Sequence, residues 1–436
     1  MAAIAGDPGK ERRRRAIAYV TGGSSRRPRL VAYVLAALAA GGLAGIGLVL
    51  FLRGEPTSEF DGFVYVESNT ALKGQNRILA FRFRRSRLEP LGEFPTGGMG
   101  TIDRGIEGSL DAEGQIAVDR SRRLLFAVNQ GSDTLAVFRI GRDGRLSPAA
   151  GSPFPAGGRA PASIGLAGDL LVVANKAQDP NRDLGSARPA LTTFRVASSG
   201  TLTPTGRSTR LPADTSPTQA LVLSGRVVAG TLETGPFVSY ALGQDGSLAR
   251  APGSPLEPEP SIFDPGYQGA RWAIGLVPHP TRPLLYADQS ASHQLLVYAY
   301  EPTGKLRFVQ AVNNSGARLP CWTTVSRDGR FLYTANAGNG SVSAFSLADP
   351  AKPRHLQTLG LRRGANPWGL ALDPSGKTLF VVDPNAVEGV PSALGNRLHV
   401  LTVGSSGRLT EIDAARKRLP VGRDSSPLGI AVVPRS

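Results

Sequence analysis

From about residue 62 to the C-terminus, apolar positions come in short runs separated by polar turns. A unit opens on a short apolar strand, turns through a polar pair or triplet, and continues as a very apolar strand. Trp322-Thr323-Thr324-Val325-Ser326-Arg327-Asp328-Gly329-Arg330-Phe331-Leu332-Tyr333 is one copy. The run from Trp368 to Val382, with its Ser375-Gly376 turn, is another. Asp-Gly and Ser-Gly supply the positive φ that tight hairpins need. An alternating strand follows (Ser341-Val342-Ser343-Ala344-Phe345). A second turn, such as Asp143-Gly144-Arg145-Leu146, Asp245-Gly246-Ser247-Leu248 or Ser406-Gly407-Arg408-Leu409, then leads to a short fourth strand. Units begin near Gly114, Pro161, Pro217, Trp272, Pro320, Pro367 and Pro427. Spacings of about 45–55 residues fit a propeller blade. The last unit supplies only Leu428–Val433, and the first strands of the repeat region (63–66, 78–83 and 88–94) lack an opening strand. The pattern therefore predicts an all-β, seven-bladed β-propeller of four-stranded antiparallel blades over 62–436, closed by the C-terminal strand joining the N-terminal blade. Closure hides the sheet edges. No amphipathic helix of 10–15 residues separates the strands, which argues against a parallel α/β fold.

Composition sharpens this reading. The 53 Gly and 34 Pro among 436 residues are spread along the chain, as frequent turns require. With 41% hydrophobic residues, the chain can bury a large core and is not disordered. A single cysteine, Cys321, excludes an intramolecular disulfide framework, a Cys-based zinc site, a CxxC redox pair and c-type haem attachment. The net charge of +16 suggests nucleic acid until its distribution is read. Residues 1–53 carry +7 and the other 383 carry +9. The concentration reads as a local targeting signal. Residues 30–52 hold no charge, and 23 residues of helix would span roughly 34 Å. With the cationic cluster before them, they predict a signal anchor: a basic cytoplasmic segment (1–29), one N-terminal transmembrane helix (30–52), a linker (53–61) and the propeller (62–436) on the extracytoplasmic side of the cell membrane. Ser25-Arg26-Arg27-Pro28-Arg29-Leu30 partly matches a twin-arginine signal, and a cleaved segment with a secreted propeller is the alternative.

The stretch 328–336 (Asp-Gly-Arg-Phe-Leu-Tyr-Thr-Ala-Asn), with Gly340-Ser341-Val342-Ser343-Ala344-Phe345 after it, resembles the lactonase-type seven-bladed propellers. That family includes 6-phosphogluconolactonases and carboxymuconate-lactonizing enzymes. Leu125–Asn129 with Asp133–Phe138, and Asp143–Leu146 followed by Gly151-Ser152-Pro153-Phe154, repeat the resemblance. It implies the fold across nearly all of 62–436. The family's enzymes carry a Pro-Arg-His stretch opening a blade and a Glu closing the next strand. Here the comparable segments read Ala270-Arg271-Trp272-Ala273 and Ala287-Asp288-Gln289, so the histidine is missing and the glutamate is replaced. In this respect the chain is similar to the exported, functionally uncharacterised members.

Propeller geometry puts the loops entering inner strands, and those between second and third strands, on one face. The long insertions 96–113, 175–190, 257–270 and 383–396 all fall there. They carry −3, +1, −3 and −2, or −7 in all, on an otherwise basic body. Polyanions, including nucleic acid and phosphorylated lactones, are disfavoured at such a mouth. Polar residues end the second strands on the same face: Glu67, Asn69, Asn129, Asn175, Glu233, Asp288, Asn336 and Asp383. They are either strand caps or a ring around a funnel. As a ring they would suit calcium, although no EF-hand or glycine-repeat calcium motif occurs. Trp272, Trp322 and Trp368 sit at three consecutive inner-strand entries, as packing between blades or as an aromatic arc for a ligand. Of four scattered histidines, only His293 falls on the loop-rich face. With Asp288 or Glu233 as partner it could act as a base on water, and Arg271 could stabilise an oxyanion. Cys321 packs at an inner-strand start without a histidine partner. Two functions follow: a binding module taking a small molecule, glycan or protein at the loop-rich face, or a hydrolase or isomerase of non-phosphorylated lactones. A purely structural envelope role is a third.

Overall fold

The computed structural model describes residues 60–102, 110–213, 215–224, 226–232, 235–263, 265, 271–362, 364–384 and 396–435. The chain divides into Met1–Pro56, which lies outside the described residues, and Thr57–Ser436.

The second unit forms seven antiparallel sheets, each with a four-strand path. Blade 1 joins Leu428–Pro434 to Gly62–Glu67, Arg77–Arg84 and Arg87–Pro95, so the last strand of the chain is the inner strand of the first blade. The inner strands of blades 2, 3 and 4 are Ile116–Asp119, Pro161–Ala167 and Leu221–Leu223. Blade 5 runs Ala273–Pro278, Leu284–Gln289, Gln294–Tyr300 and Leu306–Asn313. Blade 6 runs Pro320–Val325, Phe331–Asn336, Ser341–Ser346 and Arg354–Gly360. Blade 7 runs Leu370–Leu372, Thr378–Asp383, Arg397–Val403 and Leu409–Glu411.

Second strands such as Leu124–Asn129, Leu170–Asn175 and Thr378–Asp383 are buried along their whole length, because a blade packs on each side of them. This explains their near-continuous apolar runs. The core accordingly lies between blades. Phe63, Tyr65 and Ile78 of blade 1 pack on Leu125, Ala127 and Phe138 of blade 2. Tyr333 and Val342 of blade 6 pack on Leu379 and Val381 of blade 7. One polar device recurs in these seams. The Tyr65 hydroxyl donates to the Gly144 carbonyl (2.7 Å), Tyr286 to Pro350 (2.8 Å) and Tyr333 to Gly407 (3.1 Å). In each case a tyrosine on a second strand reaches the turn between the third and fourth strands of the next blade. Gly144 and Gly407 hold φ of +81°, and a Cβ on either would strike Phe63 or Phe331 of the preceding blade.

One expectation is corrected. Among the described residues no helix is long and apolar enough to cross a membrane; the helical segments are three-residue 3-10 turns. The described residues are therefore all-β, and the expected N-terminal transmembrane helix is not found among them. Residues 30–52, where that helix was expected, lie outside the described residues. Lack of charge sets only the reach of a segment.

Candidate functional site

The strands flanking all four long insertions run to one face, as expected. On that face, over blades 5, 6 and 7, lies a cavity of about 440 Å³. Its wall includes Trp272, Trp322 and Trp368, which the fold brings together from three successive blade entries. Trp322 and Trp368 stack, with ring centroids 4.7 Å apart and planes 22° from parallel. The Trp322 indole N–H donates to the Ala112 carbonyl (3.1 Å). Trp368 is buried, and its Nε1 has no acceptor among the described residues. The same holds for Nδ2 of Asn366, also on the wall, whose backbone amide donates to Asp383 Oδ1 (2.9 Å). Ser290, Cys321, Asp111, Thr218 and the 337–340 turn complete much of the remaining surface.

Below this wall the channel is acidic. Asp288 is wholly buried. Its Oδ2 accepts from the hydroxyls of Thr323 and Thr334 at 2.5 Å each, while Oδ1 has no partner. Burial outweighs these hydrogen bonds and pushes its pKa up to about 7. Glu113 is buried with Oε1 unpartnered, and burial plus the charge of Asp288 drive its pKa well above the carboxylate range. Burial also holds the Cys321 thiol in its protonated form, reinforced by Asp111, Asp288 and Glu113. The Cys321 thiol donates to the Leu319 carbonyl (3.2 Å). Such a thiol is a poor nucleophile.

The other expected residues lie elsewhere. The His293 Nδ1 sits 2.8 Å from the Ser290 carbonyl oxygen, at a residue with φ +56°, so the ring braces its own turn. The Arg271 guanidinium lies over the Phe263 ring, 5.1 Å from the centroid. Neither is on the cavity wall. Glu233 lies outside the described residues. The ring of second-strand ends is occupied internally. Asn129 donates to Thr134 (3.1 Å), Asn175 to Thr192 (3.0 Å) and Asn336 to Ser341 and Ser343 (2.9 Å each). Each ties a second strand to its third. Gly98 and Gly158 pass so close above Asn129 and Asn175 that a Cβ would collide with either amide. Glu67 Oε1 accepts from Asn76 (2.7 Å), and burial raises its pKa to about 8. Asp383 is bound to His399 (3.1 Å). Among the described residues no three His, Cys, Asp or Glu side chains come together as a metal site.

Asp111, Glu113, Ser290 and Asn366 went unnoticed in the sequence. Asn366 had a signal, since it stands two residues before Trp368 in an inner-strand entry, as Cys321 stands one before Trp322. The others arrive from remote loops, and nothing local marks them.

Residues 271–386 match the family described as lactonase, 7-bladed beta-propeller. No curated protein matches the chain. Among solved structures, a candidate 6-phosphogluconolactonase of Bacteroides fragilis superposes with a TM-score of 0.63 at 15% identity, covering 86% of this chain and 99% of its own. The periplasmic gluconolactonase of Pseudomonas aeruginosa gives 0.61 at 18% identity, over 85% and 99%. A protein of Lactobacillus plantarum gives 0.61 at 16%, over 86% and 99%. At these identities the structural likeness speaks for the fold. Taken with the blade motifs and the seven sheets, these matches show the chain to be a lactonase-like seven-bladed β-propeller.

Proposed function

We propose that this propeller binds a small, uncharged ring compound bearing acceptor oxygens, such as a non-phosphorylated lactone or sugar, in the three-tryptophan cavity. The observation that carries the reading is the pair of buried donors, Trp368 Nε1 and Asn366 Nδ2, which find no acceptor among the described residues beside a stacked indole pair. A buried donor without a partner costs about 1–3 kcal/mol. A ligand oxygen relieves that cost, and a ring face gains contact with the indoles. The volume lies within the range of small-molecule sites and is too small for a folded partner. The cationic N-terminal segment and the uncharged run after it also have the pattern of an export signal, which supports work outside the cytoplasm, where the Pseudomonas gluconolactonase resides.

Calorimetric titration with glucono-δ-lactone, other neutral lactones and hexoses tests this. Wild type should give saturable binding to at least one of them, and Trp368→Phe, which keeps the ring but removes the donor, should weaken it about tenfold. Absence of binding across the panel, or equal affinity in both proteins, overturns it.

Lactone hydrolysis is the second reading, favoured by one observation: a carboxyl with a pKa of about 7, Asp288, is tuned for general-base work near neutrality. Asp288→Asn should then lower turnover of a bound lactone at least a hundredfold. Turnover unchanged by the substitution, or none above buffer in wild type, leaves binding alone.

A further inference from the structure

The face opposite the cavity has the other charge. It is built from the short turns that join first to second and third to fourth strands. Turns 84–87, 119–123, 141–145, 279–283, 326–330 and 404–408 are each net cationic. They belong to blades 1, 2, 5, 6 and 7, which are consecutive once the ring is closed, so the cations form one arc. Arg84, Arg142, Arg282, Arg327, Lys377 and Arg408 are exposed on this arc, and no carboxylate among the described residues forms an ion pair with any of them. Several acids on this face accept from backbone amides: Asp143 from Arg145, Asp328 from Arg330, and Asp373 from Lys377 and Thr378; Asp119 pairs with Arg122 and Asp328 with Arg330, not with the cations named above. At the channel mouth, Arg120 and Arg327 follow the inner strands of blades 2 and 6. Partial burial, together with the charge of Arg327, lowers the pKa of Arg120.

We infer that this cationic face docks on an anionic lipid surface, its arginines and lysines meeting the phosphates of the headgroups, with the ligand cavity turned away from the bilayer. Two features select lipid over nucleic acid. The named turns are all four or five residues long, so their cations are spread over a broad face, as an array of headgroup charge requires. The face also offers no exposed aromatic ring on which a base could stack; among the described residues the exposed large hydrophobic is Leu72, on the other face. The cations follow the arc, with Arg327, Arg330 and Lys377 bordering a hollow between blades 6 and 7, so several headgroups can be met at once.

Vesicle sedimentation of the full chain tests this, using equimolar phosphatidylglycerol and phosphatidylcholine against phosphatidylcholine alone. Wild type should partition at least tenfold more strongly onto the anionic vesicles, and raising NaCl from 0.1 to 0.5 M should release it. The combined variant Arg84→Gln, Arg142→Gln, Arg327→Gln and Lys377→Gln should lose at least tenfold, with an unchanged circular dichroism spectrum. Arg188→Gln with Arg318→Gln, two exposed cations of the loop-rich face, should change partition less than twofold. Three results overturn the inference: binding indifferent to lipid charge, equal loss in both variants, or tighter binding to duplex DNA than to vesicles that the four substitutions abolish.

Discussion

In the third strand of blade 7, one histidine holds a line of charge through the blade. His399 is buried, with Nε2 3.1 Å from Asp383 Oδ2 and Nδ1 2.6 Å from Glu411 Oε1; Arg416 reaches the same Glu411 oxygen at 3.1 Å. Both ring nitrogens face carboxyl oxygens, an arrangement that favours the imidazolium, which donates from both. Burial opposes that charge, but the hydrogen bonds and charges of Asp383 and Glu411 outweigh it and raise the pKa above 6.5. A raised folded pKa means the contribution to stability is complete below the unfolded value and is lost as pH rises through the folded one. His399→Gln should therefore cost about 3 kcal/mol at pH 5.5, and the cost should fall as pH rises through the raised folded pKa, read as the difference in unfolding midpoint from wild type. A cost independent of pH would mean the ring acts only by packing. The same line touches the site, since Asp383 also accepts the Asn366 amide on the cavity wall. In contrast, Asn129, Asn175 and Asn336 are spent on holding neighbouring strands together, the ordinary use of asparagine at a strand end.

Among elements, the seam between blades has a repeated polar lock set in apolar packing. Tyr333 spans from blade 6 to the Gly407 carbonyl of blade 7, as Tyr65 spans from blade 1 to Gly144 of blade 2. Tyr333→Phe keeps the ring in its cluster and leaves a buried carbonyl unpaired. It should destabilise by about 1–2 kcal/mol, measured by denaturant unfolding, whereas Tyr333→Leu should add a packing cost to that. The turn chemistry that supplies these carbonyls was legible from the start, because Asp143-Gly144 and Ser406-Gly407 need positive φ and glycine provides it. The tyrosine partners were not. They lie 79 and 74 residues away in sequence, and an apolar strand with one tyrosine looks like any other.

For the whole molecule, closure joins the two ends of the propeller. Leu428–Pro434 pairs along Gly62–Glu67 and also covers the edge that blade 1 would otherwise expose. Deleting residues 428–436 should remove cooperative unfolding and drive association through the bare Gly62–Glu67 edge, seen by light scattering; a monomeric, cooperatively folding truncation would show that closure is dispensable. Hydrophobic periodicity and turn residues alone determined the blade number, the strand order, the closing strand and the face that carries the long loops, because those properties follow from local spacing and from the need to bury both sides of each second strand. They also placed the three tryptophans at equivalent entries. Only the tertiary structure decided that these tryptophans share one cavity, that Trp368 and Asn366 lack acceptors there, and that His293 and Arg271 stand outside it. Whether a donor is satisfied depends on atoms brought from other blades. Dehydration of Asp288 and Glu113, which sets their proton affinity, exists only once seven sheets have closed around a common axis.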